Sequence, residues 1–234
     1  MMLVRLMSLG LAMIAVTSAA IAAPASPTVG YSEKYTFIMA GKTIGTQTAE
    51  VTASDATSQT WTYKIRLNVP INTQTLAMSE AGTLIVKADG APVTFETKAT
   101  TSGQTQAEKI VFNGNSVNVT LSPAMPAIAS SFPVTPGTYA LTNNFLSGVS
   151  IISRATHTAT IAPMMWRTLG TNSLREIALT LTPTVAETLY MRGVAVPCHV
   201  YDVAPLNSKI WLSDATGELL KEADPAQQLV IVRE

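Results

Sequence analysis

The sequence predicts a mainly β protein: a large curved antiparallel sheet, a half-barrel or open barrel, with one short helix packed on its concave face. Three observations carry this expectation. Trp61, Tyr63, Ile65, Leu67 and Val69 alternate strictly with Thr62, Lys64, Arg66 and Asn68, the period of a strand that is dry on one side and wet on the other. Asp89-Gly90 and Asn113-Gly114 each lie between apolar-rich runs, and both pairs tolerate the positive φ angles of a type I′ hairpin turn. Charged residues make up only 13% of the chain, against about 25% in an ordinary globular protein. Thr, Ser, Asn and Gln take the polar positions instead, and the β-branched threonines suit a pleated surface.

Taken in order, residues 1–22 read as a Sec-type signal peptide rather than as part of the fold. Arg5 is the only charge among them, an apolar run extends from Leu6 to Val16, and Ala20-Ile21-Ala22 supplies a small-residue exit. That run is shorter than the roughly 20 apolar residues a bilayer requires. Cleavage near Ala22 is expected, so the mature chain is expected in the periplasm or outside the cell, with no transmembrane anchor of its own. Residues 23–30 read as a flexible Pro-rich leader and residues 31–234 as a single β-rich domain.

Within that domain Tyr31 to Met39 opens the sheet, with Tyr35 and Phe37 on one face and Lys34 and Thr36 on the other. Gly41 and Gly45 mark a hairpin carrying a bulge. The Trp61 to Val69 strand is followed by two tight hairpins, Thr83 to Lys87 with Val93 to Thr97, and Glu108 to Phe112 with Val117 to Leu121. Residues 122–138 contain Pro123, Pro126, Pro133 and Pro136; proline cannot donate to a ladder, so this stretch reads as a long connection. Asn143 or Asn144 would cap a short helix running through Ile152, with Phe145, Leu146, Val149 and Ile152 on one face. The β-branched run Val149 to Ile152 suits a strand as well. The remaining strands are expected at His157 to Ala162, Ser173 to Leu181, Thr188 to Met191 with Val194 to Val203, Lys209 to Leu212, Leu219 to Glu222 and Gln228 to Arg233.

The chemistry is sparse. Fifteen basic and fifteen acidic residues balance, leaving no long-range field to gather nucleic acid. A lone cysteine, Cys198, rules out an intramolecular disulfide. It shares parity with Val194, Val196 and Val200, which marks a buried thiol unless Pro197 introduces a bulge. His157 and His199 have no partner at zinc-ligand spacing, and consecutive Cys198 and His199 point to opposite faces of a strand. Gly148-Val149-Ser150-Ile151-Ile152 lacks the second glycine of a nucleophile elbow. No catalytic residue, metal ligand or cofactor is expected. The candidate ligand-binding residues are the aromatics assigned to the drier side, Tyr35, Phe37, Trp61, Tyr63, Phe95, Phe145, Trp166 and Trp211. A curved sheet around a short helix either is filled by that helix and its side chains or leaves an apolar cavity beside it.

The run Lys209-Ile210-Trp211-Leu212-Ser213-Asp214-Ala215-Thr216-Gly217-Glu218-Leu219-Leu220-Lys221 resembles the closing hairpin of secreted bacterial β-rich families of unknown function. The Tyr35 to Gly45 hairpin, with its Ile44-Gly45 step, is similar to their opening one. Those families resemble periplasmic lipoprotein-carrier folds, whose curved sheet holds acyl chains. The resemblance implies a fold type and an apolar ligand, and carries over no catalytic residue. The expected function is therefore an exported envelope protein that binds an apolar ligand such as a lipid without catalysis. The alternative is a structural or interaction module that docks an envelope protein through a sheet edge or the 122–138 segment. A hydrolase acting on envelope material is a second alternative.

Overall fold

The computed structural model describes residues 27–123, 131–135, 137–140, 146–156, 160–167 and 174–234. The expected signal peptide and the residues Asn143, Asn144, Phe145 and His157 lie outside the described residues. In the first half, β1 (Ser32–Met39), β2 (Lys42–Ser54), β3 (Ser58–Ile71), β4 (Gln74–Lys87), β5 (Pro92–Thr101), β6 (Gln104–Phe112) and β7 (Ser116–Ser122) form an antiparallel meander. The short strands β8 (Ser131–Pro133) and β9 (Tyr139–Ala140) precede the helix α1 (Ser147–Thr156). Then come β10 (Thr160–Arg167), β11 (Leu174–Met191), β12 (Val194–Ala204), β13 (Ser208–Ser213), β14 (Leu219–Asp224) and β15 (Leu229–Arg233).

All of these strands belong to one open sheet, ordered β8-β7-β6-β5-β4-β3-β2-β1-β15-β14-β13-β12-β11-β10-β9. The two halves of the chain meet where β1 pairs antiparallel with β15, Tyr35 opposite Arg233 and Phe37 opposite Ile231. The expected curved antiparallel sheet with one short helix is present. Among the described residues the one parallel pairing joins β9 to β10.

Turn chemistry sets the hairpins. Gly90 and Gly114 adopt φ of 82° and 72°, and Asp89 Oδ1 accepts from the Ala91 amide at 2.9 Å. Gly45 is needed for a different reason: a Cβ there would stand 1.9 Å from the Arg66 carbonyl oxygen, so only glycine lets β2 approach β3 next to the bulge at Phe37/Ile38. Two elements differ from expectation, and a third decides between the helix and strand alternatives of the sequence. β4 begins at Gln74, well before Thr83; its inward positions Glu80 and Gly82 do not look apolar, which hid this part of the strand from the alternation pattern. Part of the Pro-rich stretch pairs with β7, Ser116 opposite Pro133; proline is tolerated there because β8 is an edge strand. The β-branched run Val149 to Ile152 is helical: Ile151 and Ile152 are buried in the two main apolar clusters, and this packing overrides their strand propensity.

Cys198 is fully buried, although not by the continuous valine face that the sequence suggests, since Val194 is 64% exposed. A small cluster of Cys198, Val200, Trp211 and Leu220 closes over the thiol. Burial pushes its pKa up. Reactivity requires both thiolate and access, so a maleimide should label Cys198 negligibly in native buffer and fully in denaturant. Cys198→Ser should destabilise by roughly 1–3 kcal/mol if the hydroxyl finds no partner, with Cys198→Ala milder; rapid native labelling would contradict the assignment.

Candidate functional site

Two features of the concave face stand out, one at each end of β1. The first lies at the Tyr31 end and is ionic. Glu33 shares the parity of Tyr35 and Phe37 and so points inward; its side chain is fully buried. Arg233, on β15 opposite Tyr35, and Arg154, in the last turn of α1, reach the same place. Glu218, just ahead of β14, completes a charge-neutral set. Arg233 Nη1 donates to Glu218 Oε2 at 2.5 Å, and Arg154 Nη2 donates to Glu218 Oε1 at 2.8 Å, with Glu33 Oε1 3.5 Å away.

The Tyr31 hydroxyl is the hub. It accepts from Arg154 Nη2 and Arg233 Nη2, each at 2.9 Å, and offers its one proton to Glu218 and to Glu33 Oε1, the latter at 2.9 Å. Both guanidiniums also stand over its ring, at 5.3 and 5.9 Å from the centroid. Burial, then the Glu33 charge, holds Tyr31 well above the ordinary phenol range. Burial alone would raise Glu218, but hydrogen bonds from Tyr31 and Arg233 and the two arginine charges hold it below the usual carboxylate range. Burial alone would lower Arg233, and Glu33 and Glu218 outweigh it.

This knot fastens α1 into the sheet. Leu219 N donates to Ser150 Oγ at 2.9 Å, and Leu146 N donates to Gln47 Oε1 at 3.1 Å. Tyr35 Oη lies 3.1 Å from Glu33 Oε2 and 3.3 Å from the Leu219 carbonyl. Every carboxylate in the knot already faces a guanidinium or a hydroxyl, so the arrangement is a latch and presents no free general base or nucleophile.

The second feature lies toward the Met39 end. A cross-strand row on the concave face runs Leu67–Gly45–Phe37–Ile231–Glu222–Ile210–Tyr201. Leu67 and Tyr201 are half-buried, as are the neighbouring Met39, Val69, Leu206 and Leu229. Glu222 is the one charge in the row, between the buried Ile210 and Ile231. Burial, with the Asp224 charge second, pushes its carboxyl up to about 7.

The aromatics nominated from sequence fall into three groups. Tyr35, Phe37, Trp61, Tyr63 and Phe95 are on the concave face but at most 3% exposed: they are core. Tyr63 and Phe95 stack at 6.2 Å between centroids, and Gly82 leaves room for Tyr63, whose Cε1 would be 2.4 Å from a Cβ there. Trp211 is not on that face; it pairs with Val200 on the outward side, donates Nε1 to Glu187 Oε2 at 2.8 Å and carries Lys221 over its ring. Phe145 and the Trp166 side chain lie outside the described residues. A concavity of about 510 Å³ lies over Ala81, Gly82 and Ala107, walled by the outward Lys64, Lys98 and Lys109 and with Tyr63 also in its lining. Sequence reasoning missed Glu33, Glu218, Arg154, Arg233 and Glu222.

No family model matches the chain, and no curated protein matches it. Among solved structures it is similar to a β-barrel-like protein of domain of unknown function DUF1849 from Brucella abortus, with a TM-score of 0.56 at 10% identity over 90% of this chain and 97% of that one. A DUF1089 family protein from Pseudomonas aeruginosa gives a TM-score of 0.47 at 11% identity, over 86% and 92% of the two chains. The first likeness assigns the chain to β-barrel-like folds. No helix among the described residues is long and apolar enough to cross a membrane.

Two predictions follow from these electrostatics. The folded-state pKa of Glu218 lies below its unfolded value, so its contribution is complete above the ordinary carboxylate pKa of about 4.3 and is lost as pH falls through the lower folded value. Glu218→Gln should destabilise by about 2–4 kcal/mol near neutrality and flatten the acid limb of a urea-melt pH series. Glu222 has the opposite sign: its folded pKa is raised, so its contribution is most favourable below about 4.3 and is lost as pH rises toward 7. Because Glu222 is half-buried and screened, Glu222→Gln should stabilise by on the order of 1–2 kcal/mol at about pH 8 and by little at about pH 4.

Proposed function

We propose that the protein is an exported, non-catalytic envelope protein that holds an apolar ligand such as a lipid against the Met39 end of its concave face. The observation that supports this reading is the group of half-buried apolar side chains there, Met39, Leu67, Val69, Tyr201, Leu206 and Leu229. The aromatic core is closed by its own packing, whereas these residues keep apolar surface in contact with solvent on a concave wall. The exported setting rests on the signal-like residues 1–22.

A second reading, a protein-interaction module, draws on one observation. β10 pairs with β11 only as far as Thr180, so among the described residues the edge of β11 beyond it is unpaired. That hairpin exposes Val185, Tyr190 and Val194, and an unpaired edge is a template for another strand.

A neutral apolar fluorophore, N-phenyl-1-naphthylamine, separates the two. The lipid reading expects saturable binding, weakened at least about tenfold by Leu67→Glu with the thermal melt retained, and unaffected by Tyr190→Ser. Absence of saturable binding, together with no lipid in native mass spectra of protein taken from its own envelope, would contradict it.

A further inference from the structure

The apolar-ligand reading leaves the head group of the ligand open, and the concave row supplies it. We propose that the site selects a single-chain amphiphile with a positively charged amine head, paired to Glu222, in preference to a fatty acid; the inference rests on the reading of the concave face as an apolar-ligand site.

The argument starts from position. Glu222 points to the concave face because of a bulge at Leu220 on β14, opposite Trp211 and Leu212 of β13. Leu219 is inward in the main apolar cluster, Leu220 and Lys221 are both outward with Trp211, and Glu222 turns back inward. Its ladder neighbours Ile210 and Ile231 are buried aliphatics, with Cβ atoms about 5 Å away. Among the described residues no hydrogen bond or salt bridge engages its carboxylate. An ionised carboxylate in such a place is unfavourable until it meets a cation.

The surrounding charges give the site its sign. Asp224 is the next inward residue of β14 and binds the Gln227 amide and side chain. Lys209 pairs outward with Asp202, and Lys64 and Arg66 lie on the outer face of β3. Arg233, two residues beyond Ile231 on β15, is the nearest inward cation along the ladders, but its guanidinium is committed to Glu218 and Tyr31 in the knot. On the other side Lys42, opposite Met39, is separated from Asp224 by Met39 and Leu229, three ladder steps or about 14 Å. Two acids therefore face the apolar wall from β14 with no cation paired to either among the described residues. An alkyl chain lying on Leu67, Met39 and Leu229 would bring a protonated amine to Glu222, while a carboxylate head there would meet like charge.

The test is competition for bound N-phenyl-1-naphthylamine at about pH 8, where Glu222 is ionised. Dodecylamine, dodecanol and dodecanoate, each below its critical micelle concentration, share one chain length and differ in head charge. The expected order is dodecylamine tightest and dodecanoate weakest, at least about tenfold apart, with chainless ethanolamine inactive. Glu222→Gln should collapse the amine preference while leaving dodecanol unchanged. Dodecanoate as tight as dodecylamine, or a preference that survives Glu222→Gln, would overturn the assignment. The wild-type order is read without any variant, so the result does not depend on how Glu222→Gln folds. Dodecanol binding without charge preference would sink this inference alone; failure of fluorophore and dodecanol alike would sink the apolar-ligand reading with it.

Discussion

The structure depends on a charge-neutral knot in which one buried and one half-buried carboxylate, two arginines and one tyrosine hydroxyl pair with one another. Its members come from β1, the end of α1, the approach to β14, and β15. No local stretch of chain supplies two opposite partners, so the knot forms only when the first and last strands pair and the helix is seated against them. Pairing such charges offsets most of a desolvation penalty rather than adding large stability, and removing one partner exposes that penalty. The knot therefore specifies where α1 docks more than it contributes to total stability.

That docking divides the concave face. At the Tyr31 end, Leu146, Ile151 and Ile152 from the helix segment complete the core and leave the large aromatics with almost no accessible surface. At the Met39 end the wall is finished by half-buried apolar side chains and the two inward carboxylates of Glu222 and Asp224. One helix thus both fills the fold and bounds the surface on which a ligand would lie. The likeness to β-barrel-like domains concerns this scaffold; the wall and its carboxylates are properties of these residues.

Much of the architecture was legible because the governing patterns are local. Alternation in Trp61 to Val69 and the Asp89-Gly90 and Asn113-Gly114 turns each need only a few neighbouring residues. Glu33 was missed although a signal was there: a glutamate in register with Tyr35 and Phe37 on a dry face is an anomaly that asks for a cation. What could not be read depends on register. The bulge beside Leu220 moves Glu222 inward and leaves Lys221 outward, reversing simple alternation, and the same ladder turns Trp211 away from the aromatics it was grouped with. The early part of β4 was hidden because Gly82 makes room for the Tyr63 ring and Glu80 accepts the Tyr63 hydroxyl proton. Both look polar or empty until the opposite strand is in place.

Amide hydrogen exchange across α1 tests the latch most directly, comparing wild type with Arg154→Met. In wild type the amides of residues 147–156 should exchange no faster than those of the central strands β3 and β4, because the helix opens only when the sheet does. In Arg154→Met they should exchange faster by at least about tenfold while β3 and β4 stay protected, the signature of a helix released from an intact sheet. Rapid exchange of α1 in the wild type, or unchanged protection in the variant, would contradict the claim that the knot holds the helix in place.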